Sequence, residues 1–345
     1  MNSLPTFIKS IQQQKYHALN PKTSKSTYIF LNLQDNTLND IDKSYNSNTQ
    51  ITVNPNHPHY TLGTLSTLPL EIIHLTLLHL DIKSPITFQT LNKHARRTAH
   101  SLPQYKRILT HTPALIRATL NIQTAQYFTL QDLHNQLTTT KCDSCGDFAA
   151  YIYLLTCRRV CFLCFTQKTA YLPLSQEDVI RKFGLQSTHL AGLPHMKSFP
   201  GCYSPRGLER RRRKTLYDYS ARRKTGIRVH GTVKAMEKFS AEVLSEKLKT
   251  YFLCINHKMR VTRPICRDSF DDRSSNPKRF MGIIRVPCFR IEFKPGGSLE
   301  WGFHCLACKS LHCDRPLHWG RMFTTESFRA HLAECGAVVK GRYVR

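Results

Sequence analysis

Residues 67–105 read TLPLEIIHLTLLHLDIKSPITFQTLNKHARRTAHSLPQY, and this stretch decides how the N-terminal half of the chain folds. Its three prolines fall where helices begin. The fixed φ of Pro69 suits a first helical turn, and one of the two residues before it would be the cap. Ser84 is a good cap for a second helix with Pro85 in its first turn, and Pro103 opens a third. The stretch therefore predicts three short helices.

The first of these helices has apolar residues on more than one side. At about 100° per residue, two sets separate, one of Leu70, Ile73, Leu77 and Leu80 and the other of Ile72 and Leu75. One buried face is too narrow for both sets. The second helix is predicted to run through Phe88, Leu91 and Ala95, which repeat at helical spacing.

Further helix starts follow along the chain. Thr112 with the proline after it begins one, and Thr129 with Asp132 has the pattern of a capping box. Ser175 caps a helix that is expected to end at Gly184. Together with the first three helices, these starts predict a helical N-terminal part with an extension.

The stretch at residues 67–105 resembles an F-box, the module that docks a substrate receptor onto the Skp-type adaptor of SCF ubiquitin ligases. The matching residues are Leu68, Pro69, Glu71, Ile72, Ile73, Leu77, Leu80, Asp81, Leu91, Asn92, Lys93 and Arg96. Pro85 stands where the family usually has leucine, and Ala95 where tryptophan is common. Together with the cysteine cluster that follows, the pattern is similar to a group of fungal F-box proteins. The resemblance implies that the adaptor is contacted by Leu68, Pro69, Ile72, Ile73, Leu77, Leu80 and Leu91. The alternative is an ordinary small helical subdomain.

Composition limits the class of protein. The 345 residues include 50 Lys and Arg against 23 Asp and Glu, a formal net charge of +27 that favours anionic partners such as nucleic acid or acidic protein surfaces. No stretch approaches the ~18 apolar residues of a membrane span, and the N-terminus lacks the apolar core of a signal peptide. We expect no membrane association and a place in the nucleus or cytoplasm. The 13 cysteines then indicate metal ligands and free thiols rather than disulfides.

We predict an α+β chain of five segments. Residues 1–64 are rich in Asn, Thr, Ser and Gln and are expected to be a largely disordered arm, with a short strand over residues 28–33. Residues 65–140 form the F-box-like helices and their extension, and residues 141–170 a four-cysteine zinc module. Residues 171–250 are a basic segment of helices and loops, including an ordered loop after Gly184. Residues 251–345 combine a β-hairpin, turning at residues 294–297, with a zinc-finger-like module.

The first zinc site is predicted from two C-x2-C pairs in KCDSCGDFAAYIYLLTCRRVCFLCF. Cys142 and Cys145 form one pair and Cys161 and Cys164 the other, at an interval typical of four-thiolate zinc sites. A strand between the pairs predicts a treble-clef or ribbon-like module. Cys157 is a fifth sulfur and the second choice for the position of Cys161. Four thiolates leave no open position, so this zinc is structural and contributes about 10 kcal/mol to folding of its segment.

A second zinc site is predicted near the C-terminus. Its ligands are a C-x2-C pair and two residues one turn apart on a helix capped at Thr324 or Thr325, namely Cys305, Cys308, His331 and Cys335. The competing donors in the intervening loop are His304, His312, Cys313 and His318. Cys202, Cys254, Cys266 and Cys288 have no partner at ligand spacing and are interpreted as ordinary thiols.

Two basic clusters flank the sequence TLYDYSA. Their residues are Arg210, Arg211, Arg212, Arg213, Lys214, Arg222, Arg223 and Lys224, and Tyr217 and Tyr219 lie between them. The arrangement resembles a bipartite nuclear-import signal, and the tyrosines would suit stacking on bases if the segment contacted nucleic acid. A solvated basic helix is the alternative.

Three functions come into question. The leading one is a non-catalytic F-box receptor that binds the adaptor, and through it a cullin ligase core, and holds an unknown protein substrate in its C-terminal half. The second is a nuclear, zinc-dependent nucleic-acid-binding protein. A RING-like recruiter is disfavoured because its interleaved ligands would have to bridge two clusters roughly 140 residues apart. No nucleophile motif or phosphate-binding glycine loop predicts an enzyme.

Overall fold

The computed structural model describes residues 26–28, 37–38, 61–190, 192–203, 208–257, 259–261, 263–264, 273–290, 299–310 and 317–344. Helices and strands are mixed along these ranges, as the α+β prediction requires. The helices are α1 (Leu70–His79), α2 (Lys83–Phe88), α3 (Lys93–Ser101), α4 (Pro103–His111), α5 (Pro113–Asn121), α6 (Leu130–Thr138), α7 (Phe162–Gln167), α8 (Gln176–Phe183), α9 (Tyr219–His230), α10 (Val233–Asn256), α11 (Pro277–Phe280), α12 (Leu306–Ser310) and α13 (Thr325–Cys335). Among these helices none is both long and apolar enough to cross a bilayer.

The strands are short and form small sheets. They are β1 (Thr27–Tyr28), β2 (Tyr151–Tyr153), β3 (Arg158–Val160), β4 (Leu174–Ser175), β5 (His195–Lys197), β6 (Gly201–Tyr203), β7 (Leu208–Arg210), β8 (Thr215–Tyr217), β9 (Ile283–Arg285), β10 (Cys288–Phe289), β11 (Leu299–Glu300), β12 (Phe303–Cys305), β13 (Met322–Phe323), β14 (Ala337–Val339) and β15 (Arg342–Val344). Within the described ranges, three sheets have three strands, in the orders β1-β12-β13, β3-β2-β9 and β4-β8-β5.

The stretch of residues 67–105 forms helices near the predicted places, with three differences. Ser84 is not the cap of α2, because α2 begins at Lys83 with Ile82 as its N-cap and without a side-chain capping bond. Pro69 does not lie in the first turn of α1 but immediately before it, with an extended ψ of 146°, and its carbonyl accepts hydrogen bonds from the N–H groups of Ile72 and Ile73. The second predicted helix is two helices. Asn92 begins α3 because its side chain accepts a hydrogen bond of 2.8 Å from the N–H of Ala95. Leu91 therefore lies in the turn between α2 and α3.

The other helix starts are confirmed. Pro103 and the proline at 113 occupy first-turn positions of α4 and α5. Thr129 and Asp132 form a complete capping box at α6, and the same arrangement starts α8 at Ser175. Gly184 ends α8 in the left-handed region at φ 61°, where a residue without a Cβ is favoured.

Residues 171–250 contain a sheet that the sequence did not predict. The segment after Gly184, expected to be an ordered loop, includes β5 and β6. Strand β5 pairs with β8, which follows the run Arg210–Lys214, and β8 also pairs with β4. Strands of two or three residues carry too little alternation to be seen in sequence, and their pairing joins distant segments.

The largest hydrophobic cluster joins segments that the sequence treated separately. It contains side chains from α1 to α6, the first cysteine module and the strand region around β9 and β10. Strand β2 pairs with β3 and with β9, so residues about 130 positions apart share one sheet. A second cluster holds α8, β8 and α10 together, and a third lies in the C-terminal module.

Two short pieces of the N-terminal segment, which was predicted to be a largely disordered arm, pack on this fold, namely residues 26–28 and 37–38. Leu38 is buried, and its N–H donates a hydrogen bond of 3.1 Å to the carbonyl of Ile283. Strand β1 pairs with β12, placing Thr27 opposite Cys305. The predicted strand over residues 28–33 overlaps β1 at Tyr28 and otherwise lies outside the described residues. The predicted hairpin turn at residues 294–297 lies outside them too, although β10 and β11 on either side pair antiparallel.

Candidate metal centres

The four predicted ligands of the first site converge. The Sγ atoms of Cys142, Cys145, Cys161 and Cys164 all lie within 4.8 Å of one another, and three of the four residues are buried. The sulfurs of Cys145 and Cys161 are 3.6 Å apart. A tetrahedral zinc ion with Zn–S bonds of about 2.3 Å separates its sulfurs by about 3.8 Å. The arrangement therefore fits a metal ion held by four thiolates, and we call it the four-cysteine centre.

Local backbone geometry explains why the first pair points inward. The carbonyl of Cys142 accepts a hydrogen bond of 2.9 Å from the N–H of Gly146, and the N–H of Cys142 donates one of 2.7 Å to the carbonyl of Asp147. Gly146 has φ 80°, a conformation that glycine adopts without steric cost. This tight turn directs the sulfurs of Cys142 and Cys145 to the same point.

The second pair lies at the start of α7. Cys161 is the N-cap, and its sulfur accepts a hydrogen bond of 3.4 Å from the N–H of Cys164. The N–H of Cys161 in turn donates to the sulfur of Cys142 at 3.3 Å. The order of knuckle, β2–β3 hairpin and helix corresponds to the treble clef, the first of the two predicted alternatives. N–H groups aimed at sulfur stabilise thiolates, which are the metal-binding form.

The electrostatics of the four-cysteine centre favour a thiolate at one sulfur, that of Cys142, whereas the pKa values of Cys161 and Cys164 are raised. Hydrogen bonds from Cys161 and Cys164 hold the pKa of Cys142 well below its ordinary value. The hydrogen bond to Cys142 raises the pKa of Cys164 to about 12, because the thiol of Cys164 must keep its proton to donate this bond to the Cys142 thiolate. A bound cation would deprotonate the remaining thiols, since its charge exceeds every other local charge.

Cys157 is not a ligand of this centre. It is buried and lies between β2 and β3 with φ 49°. Among the described residues, the group of sulfurs close enough to share one ion here contains Cys142, Cys145, Cys161 and Cys164 and does not contain Cys157. Burial raises the pKa of its thiol, which therefore stays protonated. Its position in the β2–β3 turn leaves Cys157 outside the group that the two C-x2-C pairs form.

The second centre brings together three of its four predicted ligands. The sulfurs of Cys305 and Cys308 and a ring nitrogen of His331 lie within 4.8 Å of one another, and all three residues are buried. They come from the end of β12, from α12 and from α13. Helix α13 starts at the predicted cap Thr324, through a capping box with Ser327. The hydrogen bond from Cys308 lowers the pKa of Cys305 to about 4. We call this group the C-terminal centre.

Cys335 does not join the C-terminal centre, contrary to the prediction. The Nε2 atom of His331 faces Cys308, at 3.6 Å from its sulfur, whereas the sulfur of Cys335 lies 3.7 Å from Nδ1. The two sulfurs are thus on opposite edges of one imidazole ring. The spacing H-x3-C placed both residues on one face of α13 correctly, but it does not fix the orientation of the ring between them.

Tyr343 is a site residue that the sequence did not predict. Its hydroxyl oxygen lies 2.7 Å from Nε2 of His331, 3.0 Å from the sulfur of Cys308 and 3.3 Å from the sulfur of Cys305. It belongs to β15, which pairs with β14 just after α13. A single tyrosine outside any cysteine or histidine spacing gives no sequence signal for this position.

The competing donors lie elsewhere. The Nδ1–H of buried His304 donates to the carbonyl of Arg321 at 3.0 Å, and burial lowers the pKa of the ring to about 4. His318 is outside the group, while His312, Cys313 and Cys266 lie outside the described residues. The thiol of Cys288 donates to the carbonyl of Thr139 at 3.5 Å. Cys202 is exposed and Cys254 half-buried, and neither is grouped with other ligands in the described ranges.

The two centres lie in modules that pack against each other. Trp319 packs on Phe162, the first residue of α7, with ring centroids 5.1 Å apart. A Cβ on Gly320 would clash with the same phenyl ring, so only glycine permits this approach. Arg321 forms an ion pair of 3.1 Å with Asp147, which follows the Cys142 turn. The C-terminal module is therefore fixed on the four-cysteine module.

The predicted adaptor-binding residues divide into two groups. Ile73 and Leu77 are buried in the core of this chain, so they cannot contact a partner as predicted. The exposed members are Leu68, Pro69, Ile72, Leu80 and Leu91, and Leu75 is exposed beside them. Asn92 donates a hydrogen bond of 3.2 Å to the carbonyl of Thr61, which places the Leu91 turn beside the segment that enters α1. We call the six exposed residues the α1 surface.

The basic residues also divide. The run Arg210–Lys214 is exposed around the start of β8. All of its members except Arg213 line a cavity of about 260 Å³ together with Lys278 and Glu209. Within the run, Arg213 lies over the ring of Phe199 at 5.1 Å.

Arg222 is completely buried, contrary to its predicted surface role. Its guanidinium lies 4.2 Å from the ring centroid of Tyr217, and Tyr217 is itself buried and not free to stack on bases. Burial lowers the pKa of Arg222. Arg223 is half-buried and Lys224 exposed, so the second cluster presents less charge than the sequence suggested.

No protein-family model, no curated protein and no solved structure matches this chain. Fold and site together define a mixed helical and stranded protein with two side-chain groups able to hold metal ions, Cys142, Cys145, Cys161 and Cys164 in one and Cys305, Cys308 and His331 in the other.

Proposed function

We propose that this chain is the substrate-receptor subunit of an SCF-type ubiquitin ligase. The α1 surface would bind the Skp-type adaptor, and through it a cullin core. Residues 171–345 would hold a protein substrate. Such a subunit positions its partners and performs no chemistry itself. The observation that carries the proposal is the exposed apolar face of α1, in a stretch whose residues resemble an F-box.

Helix α1 has the two faces that a docking helix needs. Ile73 and Leu77 anchor it to the core, while the side chains of Ile72 and Leu75 remain 47% and 53% exposed. Apolar residues that cluster at the surface are typical of interaction sites, and burying the exposed half of each one contributes about half of the 1.5–3 kcal/mol that full burial supplies. An amphipathic helix that lays such residues into a partner's groove is a common mode of recognition. The six residues of the α1 surface thus suit an apolar groove on the adaptor.

In this proposal both metal centres hold Zn²⁺ and are structural. Thiolate and imidazole donors suit zinc, and the four-cysteine centre leaves no position for a substrate. The packing of Trp319 on Phe162 would then present the C-terminal module at a fixed place relative to the α1 surface.

The test is co-expression of the full chain with the Skp-type adaptor, followed by size-exclusion chromatography. We expect a stoichiometric complex with the wild type and none with the double variant Leu68→Asp/Ile72→Asp, because both side chains are exposed and their loss leaves the core intact. The matched control is Phe252→Asp/Leu253→Asp on α10, where two apolar residues are somewhat more exposed than Leu68 and Ile72 and distant in sequence from the stretch that resembles an F-box.

A complex that survives in the control and disappears in the α1 variant supports the proposal. A folded, zinc-loaded chain that never binds the adaptor refutes it. Equal loss in both double variants would also count against it, because the interaction would then not be specific to the α1 surface.

The second candidate is a nuclear protein that binds nucleic acid through Arg210–Lys214, and it is favoured by the exposure of this run beside Lys278. The same exposed residues would serve an import receptor. For random duplex DNA, a plot of log Kd against the logarithm of the salt concentration should then be a straight line, with Kd rising as salt is added. The slope of this line should be smaller for the double variant Arg211→Glu/Arg212→Glu, which contacts fewer phosphates. Absence of DNA binding at low salt would refute this second candidate, and the receptor function would be the one proposal that remains.

A further inference from the structure

The C-terminal centre has three metal-binding side chains and a fourth polar atom beside them. The hydroxyl of Tyr343 lies 2.7 Å, 3.0 Å and 3.3 Å from the donor atoms of His331, Cys308 and Cys305. We propose that Tyr343, and not Cys335, provides the fourth ligand of the metal ion in this centre. The proposal is independent of the receptor function.

The distances fit a tetrahedral donor set. With bonds of about 2.3 Å to sulfur and about 2.0 Å to nitrogen or oxygen, ligand atoms stand about 3.3–3.8 Å apart. The oxygen of Tyr343 is a few tenths of an ångström closer to the other donors than this, and Cys308 is 3.6 Å from His331. A small outward shift of the tyrosine therefore admits an ion. The phenol loses its proton to solvent on binding, as the two thiols do.

Cys335 suits a different role. A single imidazole binds one ion through one nitrogen, and Nε2 of His331 is the nitrogen that faces Cys308 and Tyr343. The other nitrogen then carries a proton, and metal-bound histidines usually donate that N–H to a partner outside the ligand set. The sulfur of Cys335 lies 3.7 Å from Nδ1 and can accept this bond. Cys335 would thus orient the ring of His331 without touching the ion.

The position of Tyr343 gives the metal a structural consequence. It lies on β15, and the carbonyl of Val338 in the partner strand β14 accepts a hydrogen bond of 3.4 Å from the hydroxyl of Ser26. The backbone of Ser26 also accepts a hydrogen bond of 3.0 Å from the N–H of Leu306, between the two cysteine ligands. An ion bound by Tyr343 would hold the C-terminal hairpin on the centre, where β1 also packs.

The test compares Tyr343→Phe, Cys335→Ser and Cys308→Ser in the full chain loaded with Co²⁺ or Zn²⁺. Tyr343→Phe keeps the ring that packs edge-on against His331 at 5.8 Å, so we expect it to fold. We expect Tyr343→Phe to lose one of its two ions to a competing chelator, because the C-terminal centre binds that ion at least ~10-fold more weakly. A factor of ~10 is the smallest loss of metal affinity typical of removing even a residue that only hydrogen-bonds to a ligand. Cys308→Ser sets the scale for losing a ligand.

The intensity of the thiolate-to-cobalt charge-transfer band separates the two assignments. With Tyr343 as ligand, the ions bind the four thiolates of the four-cysteine centre and two in the C-terminal centre, and Cys335→Ser leaves the band unchanged. If the charge-transfer band of Cys335→Ser were weaker by the contribution of one thiolate, Cys335 would be a ligand and the proposal would be overturned. A Tyr343→Phe protein that holds both ions as tightly as the wild type would overturn it too.

Discussion

Two consecutive arginines should differ sharply in their contribution to stability. Arg159 is completely buried in β3, and its guanidinium donates hydrogen bonds of 2.7 Å to the carbonyl of Ala149 and 2.8 Å to that of Gln136. Two longer bonds of 3.4 Å reach the carbonyls of Pro287 and Val286. Arg158 points outward and pairs with Asp143 at 2.8 Å, with both side chains largely exposed. One side chain thus joins α6, the four-cysteine module and the β9–β10 region, while its neighbour joins only surface groups.

The magnitude follows from these contacts. Each short hydrogen bond from a charged donor contributes about 1.5–3 kcal/mol, and its loss leaves a buried carbonyl without a partner. Removing a buried charge offsets part of this, since burial already lowers the pKa of Arg159 to about 10. We therefore expect Arg159→Met to lower the free energy of unfolding by about 3–4 kcal/mol, against at most about 1 kcal/mol for Arg158→Met.

The assay is urea unfolding of the zinc-loaded proteins at neutral pH, followed by circular dichroism. Methionine preserves most of the apolar stem in both variants, so the comparison isolates the guanidinium. Equal losses in the two variants would refute the reasoning, because the buried hydrogen bonds would then contribute no more than an exposed ion pair.

Three further sets of variants probe the metal centres and the packing. Cys164→Ser should release one zinc ion per chain in atomic emission, whereas Cys157→Ser should release none; loss of zinc in the second variant would return Cys157 to the ligand set. Burial opposes ionisation of Asp178, but hydrogen bonds from Lys278 and Ser175 outweigh it and hold the pKa of Asp178 below its ordinary value. The difference in unfolding free energy between the wild type and Lys278→Met should thus be constant above about pH 4. It should shrink as the pH falls further towards the folded pKa of Asp178, because a carboxyl with a depressed pKa stabilises the fold only while it is ionised. A difference that does not shrink on acidification would show that the ion pair is not its source. Gly320→Ala should lower the thermal midpoint and shift the fluorescence of Trp319, because the new methyl group meets Phe162; an unchanged midpoint would mean that the C-terminal module docks elsewhere in solution.

Local signals in the sequence were enough for the helices and for most of the ligands. The helix caps at Thr129 and Ser175 lie where they were predicted, because a cap acts within four residues. The two C-x2-C pairs likewise predicted the whole four-cysteine centre, since each pair is a local turn or helix start with its own geometry. Helical periodicity also predicted apolar side chains on more than one side of α1, but Leu70 and Leu80, which it grouped with the buried Ile73 and Leu77, are exposed.

The sequence could not rank those sides of α1. Ile73 and Leu77 are buried and Ile72 and Leu75 exposed because α1 packs on α3 and α6 with one side, and that choice depends on the rest of the core. Nor could it place Arg222, which reads as part of a solvated cluster but is buried against the ring of Tyr217. Charge in a sequence indicates exposure only on average.

The amino-acid sequence by itself determined the mixed helical and stranded composition, most helix starts and seven of the eight predicted side chains in the two groups that could hold a metal ion, since each depends largely on local spacing. Only the tertiary structure decided that the two metal modules pack through Trp319 and Phe162, that β2 pairs with β9, and that Tyr343 rather than Cys335 stands beside the C-terminal donors. These features join residues far apart in the chain, and the position of a side chain in space is set by all the elements packed around it.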